Sequence, residues 1–200
     1  MPTDSQLIDS QTIDSRVIAR TQNWIEQFVI AHNLCPFASK VFDEGKVAYI
    51  VCHDDNTELH LRQLAGTLLA MDQEPGSGSE HSSDTQTCFY IYPDAYADFE
   101  HYLALVEAAE ILIEDMGYTD SYQLASFHPQ YLFDDADLDD AANYTNRSPF
   151  PMLHILRQQD ITLATEHHPD IESVPQRNIK LLRSIGLARL QDALNRLIKA

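Results

Sequence analysis

The densest group of ligand-binding side chains in this sequence lies between Asn143 and Arg157, in the run NYTNRSPFPMLHILR. Ser148 followed by Pro149 predicts the start of a helix, because proline is favoured at the first helical position. A helix start offers unpaired backbone N–H groups to an anion, and the arginine just before it adds a guanidinium fork suited to carboxylate or phosphate. We therefore expect an anion site with these substrate-binding residues: Asn143, Asn146, Arg147, Ser148 and Arg157.

His154 would lie about one turn before Arg157 on this helix, so that both side chains line the same wall of a cleft. We expect His154 to be one of the catalytic groups. The alternative interpretation is structural: Asn143 and Asn146 would make turn and cap hydrogen bonds, and Arg147 would pair with the acidic loop before it. The sequence supports the two interpretations equally.

His128 is a second candidate for catalysis, within the motif FHPQYLF at residues 127–133. Pro129 disfavours helical backbone at the preceding residue, which would hold the imidazole in a fixed direction. The aromatic neighbours would lower its pKa by excluding water. This pattern predicts a general base or a metal ligand, and the alternative is a buried histidine hydrogen-bonded to a carbonyl.

Cys35 is a third candidate, in the motif NLCPFA at residues 33–38. Pro36 would open a short helical turn with Cys35 at its N-cap, where the helix dipole favours a nucleophilic thiolate. With His128 as its base, Cys35 would form a thiol enzyme; with His128 and His154, it would form a zinc site of the Cys-His-His type. The alternative is a small buried cysteine that closes the first helix. Cys52 and Cys88 lie inside expected strands and belong to the core.

The acidic loop Asp134–Asp140 has the sequence DDADLDD and partly resembles a calcium-binding loop. Asp135, Asp137 and Asp139 match the first three ligand positions of an EF-hand, but Asp140 replaces the required glycine and Asn146 replaces the final glutamate. EF-hand calcium binding is therefore excluded. A looser Mg²⁺ or Ca²⁺ site is the alternative to a solvated acidic loop, so a divalent metal is the cofactor that the sequence leaves open.

Composition restricts the class of protein. The 200 residues are 44% hydrophobic, which suits one domain with its own core, and the net charge of −18 at pH 7 disfavours binding to nucleic acids and anionic membranes. The apolar runs are too short to cross a bilayer and the polar start lacks the features of a signal peptide, so we expect a cytoplasmic protein without a membrane partner. Three widely spaced cysteines argue against a disulfide framework.

The elements that would position these residues alternate between helix and strand. We expect a first helix from Ser15 to near Asn33, and strands at Lys46–Cys52, Thr87–Tyr92 and Ser121–Phe127. An amphipathic helix would follow the first strand, and a long helix capped by Asp94 and ended by Gly117 would follow the second. This order predicts an α/β fold with a small, open, mainly parallel three-stranded sheet, crossover helices and a helical C-terminal third.

Sequence patterns also predict the structure of the rest of the chain. Residues 1–14 would form a flexible arm, residues 15–200 a single domain, and residues 72–86 a flexible loop within it. In the C-terminal third, Pro175 would open a helix that ends at Gly186, before a last amphipathic segment. The carboxyl ends of the three parallel strands would share one edge of the sheet, which brings His53, Asp94 and His128 together.

Four motifs give the chain a resemblance to a bacterial family known as domain of unknown function 1415. They are NLCPFA at Asn33, FHPxYxF at Phe127, the run from Asn143 to Arg157, and PxRNI at Pro175. The resemblance spans roughly Ser15 to Ile185. It implies no activity and no catalytic role for any residue, because the family has no established function to transfer.

Two functional hypotheses follow from the residues. The first is an enzyme that acts on a small anionic substrate through a Cys/His/Arg cleft, with Cys35, His128 and His154 as its catalytic residues. The second is a non-catalytic binding or adaptor protein whose polar motifs are structural. The oligomeric state cannot be predicted from these features.

Overall fold

The fold is described from a computed structural model, which describes residues 4–72, 85–165 and 171–199. Most of the loop expected at residues 72–86 lies outside these ranges. The four strands are β1 (Val47–Val51), β2 (Thr87–Ile91), β3 (Tyr122–Phe127) and β4 (Met152–Arg157). The α-helices are α1 (Asp4–Trp24), α2 (Ala38–Asp43), α3 (Thr57–Asp72), α4 (Phe99–Asp115), α5 (Gln158–Thr165), α6 (Val174–Ile185) and α7 (Leu187–Lys199).

The sheet has the strand order β1-β2-β4-β3. Strands β1 and β2 pair in parallel, whereas β4 pairs antiparallel with β2 on one side and with β3 on the other. The expected α/β class is confirmed, but the expectation of a mainly parallel three-stranded sheet is wrong. A fourth strand, β4, lies between β2 and β3, and most of the pairing is antiparallel.

Strand β4 occupies the segment that was expected to form a helix beginning at Ser148. Its residues Met152, Leu153 and Ile155 are buried, and they belong to cores on both faces of the sheet. A strand covered on both faces gives a continuous apolar run, which periodicity alone does not distinguish from a buried helix. The Ser-Pro pair before it therefore gave a false helix signal, and His154 lies on a strand.

The other elements agree with the sequence more closely. The three expected strands form, with α3 and α4 connecting them, and α6 ends at Gly186, whose φ of 89° favours glycine. The long helix is capped by Asp98 rather than by Asp94, because the Asp98 carboxylate accepts from the backbone N–H of His101. None of the described helices has the length and apolarity that crossing a bilayer requires.

Helices cover both faces of the sheet. On one face, α3 and α4 pack against strand residues that include Cys88, Tyr90 and Ile155. On the other face, α1, α6 and α7 pack around the opposite side chains of the same strands, including Phe89 and Met152. The alternation of side chains along each strand separates the two cores, so neighbouring residues of β4 face different chemical environments.

Helix α1 begins at Asp4, so residues 4–14, which we expected to be a flexible arm, are helical. The helix continues into a π-helix at Ile25–Ile30. Asp14 of α1 lies 2.6 Å from Nε2 of His53, and Asp94 lies 2.6 Å from Nδ1 of the same ring. These carboxylates raise the pKa of His53, because both stabilise the imidazolium ion. His53 thereby links α1 to the carboxyl ends of β1 and β2.

The central position of β4 predicts a large cost for truncating its buried side chains. Ile155 is fully buried, so Ile155→Ala should lower the free energy of unfolding by about 2–5 kcal/mol. Leu138→Ala is the matched control, since Leu138 is 70% exposed and should change stability by less than about 0.5 kcal/mol. Urea unfolding followed by circular dichroism measures both. Equal stabilities of the two variants would contradict a central strand at this position.

The His53 contacts predict a dependence of stability on pH. A raised pKa in the folded state means that the stabilisation is complete below about pH 6.5, the unfolded value, and is lost as pH rises through the folded value. Wild-type protein should therefore lose its stability advantage over His53→Gln as the pH is raised from about 6 to 8. The control is His101→Gln, because no described carboxylate forms an ion pair with His101. A stability difference that stays constant with pH would refute the role of the two carboxylates.

Candidate functional site

A cavity of about 670 Å³ lies between the sheet and the chain segment that follows α1. Its sheet side is formed by the face that packs against α1, with Phe89, Phe127 and His154 among the lining residues. The opposite side is formed by Trp24, the π-helix, the turn containing Cys35, and α2. Its lining is predominantly apolar and aromatic, as in typical small-molecule sites, and the remaining aromatic residues are Phe37 and Phe42.

His154 lies in the middle of the sheet side of this cavity. Its ring stacks on Phe89 with centroids 3.7 Å apart, and Nε2 is hydrogen-bonded to the hydroxyl of Thr87. That hydroxyl has one proton and donates it to the carbonyl of Ile155 at 2.6 Å. Nε2 must therefore donate to the hydroxyl oxygen, which leaves Nδ1 unprotonated. Burial lowers the pKa of His154 to about 3, so the ring is neutral at pH 7.

Cys35 lies on the opposite side of the cavity, at the turn between the π-helix and α2. Cys35 was expected at the N-cap of a short helical turn, but α2 begins at Ala38 and its N-cap is Phe37. The backbone N–H groups of Phe37 and Ala38 nevertheless act on the Cys35 sulfur and favour the thiolate. Burial has the larger effect and raises the pKa of the Cys35 thiol. In the free protein Cys35 is therefore a neutral thiol at pH 7, and the expected activation by the helix dipole is outweighed.

The charged groups of the cavity gather where β4 ends. Arg157 is the last residue of β4, Asp160 follows in α5, and Lys40 comes from α2. Arg157 donates to the backbone carbonyl of Met71. Burial raises the pKa of Asp160, while Arg157, Lys46 and Lys40 act in the opposite direction. Two cations of the lining, Arg157 and Lys40, thus act on one half-buried carboxylate, while Lys46 is itself paired with Glu44 at 2.8 Å. This region, with Arg157, Lys40 and Asp160, is called the polar end of the cavity below.

The structure brings together three of the residues that the sequence singled out: Cys35, His154 and Arg157. His128 lies on the other face of the sheet, where its ring contacts Phe99 and Tyr102 of α4. Both of its nitrogens have backbone partners: Nε2 donates to the Tyr96 carbonyl at 2.9 Å, and Nδ1 accepts from the N–H of Gln130 at 3.0 Å. Burial lowers the pKa of His128. The structure thus matches the alternative interpretation of His128, a buried histidine bonded to a carbonyl.

This separation disagrees with two of the expected arrangements. Cys35 and His128 do not share a cleft, so His128 is not placed to act as the base for the thiol. The Cys-His-His set also fails, because His128 and His154 lie on opposite faces of the sheet. In the part of the chain that the structure describes, no group of three or more His, Cys, Asp or Glu side chains is arranged to hold a metal ion.

The amide-rich part of the long motif forms a compact turn at Ala141–Thr145 instead of an anion site. Asn143 is fully buried, accepts from the N–H of Phe133 at 3.2 Å and donates to the Asp137 carbonyl at 2.8 Å. Asn146 donates to the carbonyl of Ser126 at 2.9 Å. These bonds join the acidic loop and the end of β3 to the segment that enters β4. The side chains are occupied by backbone groups, as the structural interpretation predicted.

The remaining groups of the expected anion site are also engaged within the fold. Ser148 donates to the carbonyl of Phe150 at 2.6 Å and begins no helix, so the expected helix N-terminus is absent here. Arg147 donates to the carbonyls of Tyr131 and Leu138 at 3.2 Å each, and its guanidinium lies 4.8 Å from the ring centroid of Tyr144. Arg147 therefore binds the acidic loop through the backbone carbonyl of Leu138 and not through the carboxylates of the loop.

Sequence reasoning missed most residues of the cavity, among them Trp24, Lys40, Thr87 and Asp160. Trp24 lies in the expected first helix and Thr87 in an expected strand, and neither was a site candidate. Thr87 reaches His154 because it pairs opposite Leu156 in the register of β2 and β4. The sequence carried no signal for that register once β4 was interpreted as a helix.

The carboxyl ends of β1, β2 and β3 share one edge of the sheet, where His53 and Asp94 are bonded to each other and His128 is bonded to backbone groups. A second polar group lies near this edge. The hydroxyl of Tyr96 lies 2.8 Å from Nδ1 of the buried His60 and 3.1 Å from the hydroxyl of Thr57, while Asp54 lies 3.2 Å from Nε2 of His60. Tyr96 has a φ of 56°, which is unusual for an aromatic residue. Nε2 of His60 is buried and has no hydrogen-bond partner in the described structure, although Asp54 lies near it. The cavity lies beside the opposite ends of β1 and β2, where Gln86 and Thr87 line it.

No curated protein and no solved structure matches the chain. The model of the family described as "Protein of unknown function (DUF1415)" matches residues 16–192, which include Cys35, His154, Arg157 and every motif named above. The chain therefore belongs to the DUF1415 family.

Proposed function

We propose that the protein binds a small organic molecule in the cavity, with an apolar body between the aromatic walls and an anionic group at the polar end. The observation that carries this proposal is the cavity of about 670 Å³, with Cys35, His154 and Arg157 all in its lining. A volume of this size is in the range of sites for metabolites and cofactors. The proposal retains the small anionic substrate expected from the sequence and moves its binding site.

The lining supports an apolar body for the ligand. Trp24, Phe89 and Phe127 form a connected aromatic group, since Trp24 and Phe127 pack edge to face with centroids 5.2 Å apart and Phe127 lies 6.3 Å from Phe89. His154 adds a neutral ring stacked on Phe89. A charged ligand group placed among these rings would lose its hydration without gaining a counterion, which is costly.

The polar end supports an anionic group. The whole chain carries a net charge of −18, yet two cations of the lining, Arg157 and Lys40, act on the single carboxylate of Asp160 there. A local excess of cations in a strongly acidic protein attracts small anions to that point and repels them elsewhere. Arg157 also presents the planar donor fork that suits a carboxylate.

Binding can be followed through Trp24, the single tryptophan of the chain, which lines the cavity. Decanoate and phenylbutyrate should change the tryptophan fluorescence in a saturable manner, and calorimetry should give the same affinities. Decanol and phenylbutanol are the matched ligands without charge and should bind at least about tenfold more weakly. No saturable signal from either carboxylate would contradict the proposed ligand class.

Removing the guanidinium should weaken the acids selectively. Arg157→Met should lower the affinity for decanoate by about tenfold, the loss of one charge-assisted hydrogen bond, and leave the affinity for decanol unchanged. Lys40→Met tests the same charge effect at an exposed position without breaking an internal hydrogen bond. Arg62→Met is the control, because Arg62 is an exposed residue of α3 that pairs with Glu58. Equal losses for acid and alcohol would show that the cation does not recognise the anionic group.

Catalysis by Cys35 and His154 is the second candidate, and the observation that favours it is that both line the same cavity. In this candidate reaction the sulfur of Cys35 adds to a carbonyl carbon of the bound molecule, the electron pair of the C=O π bond moves to the carbonyl oxygen, and the unprotonated Nδ1 of His154 takes the proton of the thiol. The variant Cys35→Ser distinguishes binding from catalysis, because it would keep the affinity for decanoate and abolish turnover of any substrate. The adaptor alternative predicts neither ligand binding nor turnover.

The free thiol should react slowly. Because burial raises the pKa of Cys35, its alkylation by iodoacetamide at pH 7 should be slower than that of free cysteine, and the rate should still increase above pH 9. Cys52 and Cys88, whose pKa burial raises to about 12, should react more slowly still. Mass spectrometry of the three peptides measures each rate, and saturating decanoate should protect Cys35 alone. Labelling of Cys35 faster than free cysteine at pH 7 would show that the thiol is activated before any ligand binds.

A further inference from the structure

Two motifs that lie far apart in the sequence meet beside the cavity. The motif NLCPFA contains Asn33, Leu34 and Cys35, and the motif PQRNI contains Arg177 and Asn178 of α6. Arg177 donates to the carbonyl of Asn33, and Asn178 donates to the carbonyl of Leu34 at 2.7 Å. The two residues that immediately precede Cys35 are thus both bound by adjacent side chains of one helix.

The turn held by these bonds has a backbone conformation that needs support. Asn33 has a φ of 51°, in the left-handed region, where only glycine is unstrained and asparagine is tolerated. Leu34 is buried, and its N–H reaches back to the carbonyl of Val29 at 2.9 Å, in the pattern of the preceding π-helix. The chain therefore leaves the π-helix through a strained residue and places Cys35 in the cavity wall within two residues.

Arg177 and Asn178 bind to each other as well as to the turn. Nη2 of Arg177 donates to the side-chain oxygen of Asn178 at 2.9 Å, which directs the Asn178 amide nitrogen towards Leu34. Asn178 is 3% exposed, so its amide is fixed by packing as well as by these bonds. Such a doubly fixed pair of donors holds a backbone segment more firmly than a single surface contact.

The charge of Arg177 is not neutralised by the part of the protein that the structure describes. No described carboxylate forms an ion pair with it, and its Nε has no hydrogen-bond partner there. By contrast, Arg183 of the same helix pairs with Asp140 at 2.6 Å. In a chain with 31 acidic and 13 basic residues, a half-buried arginine without a carboxylate partner is unusual, and its field reaches the sulfur of Cys35.

We propose that Arg177 and Asn178 are positioning residues for Cys35: they hold the Asn33–Leu34 turn by hydrogen bonds so that the thiol lies in the cavity wall, within the field of the Arg177 guanidinium. The proposal rests on the cavity being the functional site, as proposed above. Asn178 acts through geometry and Arg177 through both geometry and charge. The guanidinium opposes part of the effect of burial on the thiol, so that a negative charge can form on the sulfur when a ligand reacts there.

The test measures the alkylation of Cys35 by iodoacetamide between about pH 6 and 10, with mass spectrometry of the Cys35 peptide. Arg177→Met should slow the reaction by about threefold at pH 8 and move the whole profile to higher pH, because a cation that favours the thiolate is lost. Arg177→Lys should restore most of the rate by restoring the charge. Arg183→Met, which removes a cation from the same helix, should leave the profile unchanged.

Asn178→Ala separates geometry from charge. It should leave the midpoint of the pH profile in place, raise the limiting rate at high pH because the released turn exposes the thiol, and weaken decanoate binding. Thermal unfolding of every variant accompanies these measurements. Profiles that superimpose for wild type, Arg177→Met and Asn178→Ala would overturn the proposal, even if both variants were less stable.

The alkylation experiment and the ligand-binding experiment can fail separately. If decanoate and phenylbutyrate fail to bind the wild type but the alkylation profiles shift as described, the positioning of Cys35 stands and the ligand class is wrong. If the acids bind and the profiles do not shift, the ligand class stands and Arg177 and Asn178 serve the stability of the turn alone.

Discussion

The insertion of β4 between β2 and β3 is the constraint on which the rest of the structure depends. In the described sheet β3 pairs with β4 alone, and β2 pairs with β1 on its other side, so the sheet would separate into two pieces without β4. Because side chains alternate along a strand, a shift by one residue would exchange the faces of the whole strand. The register that buries Met152 on one face and Ile155 on the other therefore also fixes His154 opposite Phe89 and Ala125. The position of the imidazole is a consequence of how the core is packed.

An imidazole on an apolar sheet face requires a polar partner, and the register supplies it. Thr87 is the first residue of β2 and lies beside the end of β4, where its hydroxyl accepts from His154 and donates to the carbonyl of Ile155. The Thr87 hydroxyl thus provides a hydrogen-bond acceptor for the ring nitrogen and uses its own proton in a second hydrogen bond. A buried polar group that has its hydrogen bond costs little, whereas the same group without it would cost about 1–3 kcal/mol. The neutral state of His154 follows from this arrangement, since it contains no counterion.

The sequence predicted correctly those elements whose type is indicated by their own residues. The prediction was wrong where the type of an element depends on pairing with distant segments. The apolar pattern of strand β1 and that of helix α6 each indicate the type of element without reference to neighbouring segments. Gly186 also marks the end of α6 in the sequence. The pair Ser148-Pro149 is equally compatible with a helix start and with an extended entry into a strand, and only pairing with β2 and β3 decides between them. The same limit applies to the site: Cys35 and Arg157 were recognisable by type, but His128 and His154 could be assigned to opposite faces only after the strand order was known.

The protonation states in the cavity limit what the protein can do before a ligand binds. Cys35 is a neutral thiol and His154 a neutral imidazole, each because burial disfavours its charged form. Proton transfer from the thiol to the imidazole would create two charges in an apolar space, which is unfavourable unless other charges compensate. Arg177 favours the negative sulfur from outside the cavity wall, while no described carboxylate favours a positive His154. The imidazolium is therefore the less favourable of the two charges, because desolvation is the effect that acts on the pKa of His154. Proton transfer to His154 is therefore favoured only when it accompanies bond formation at the sulfur, since the new bond removes the negative charge from that atom.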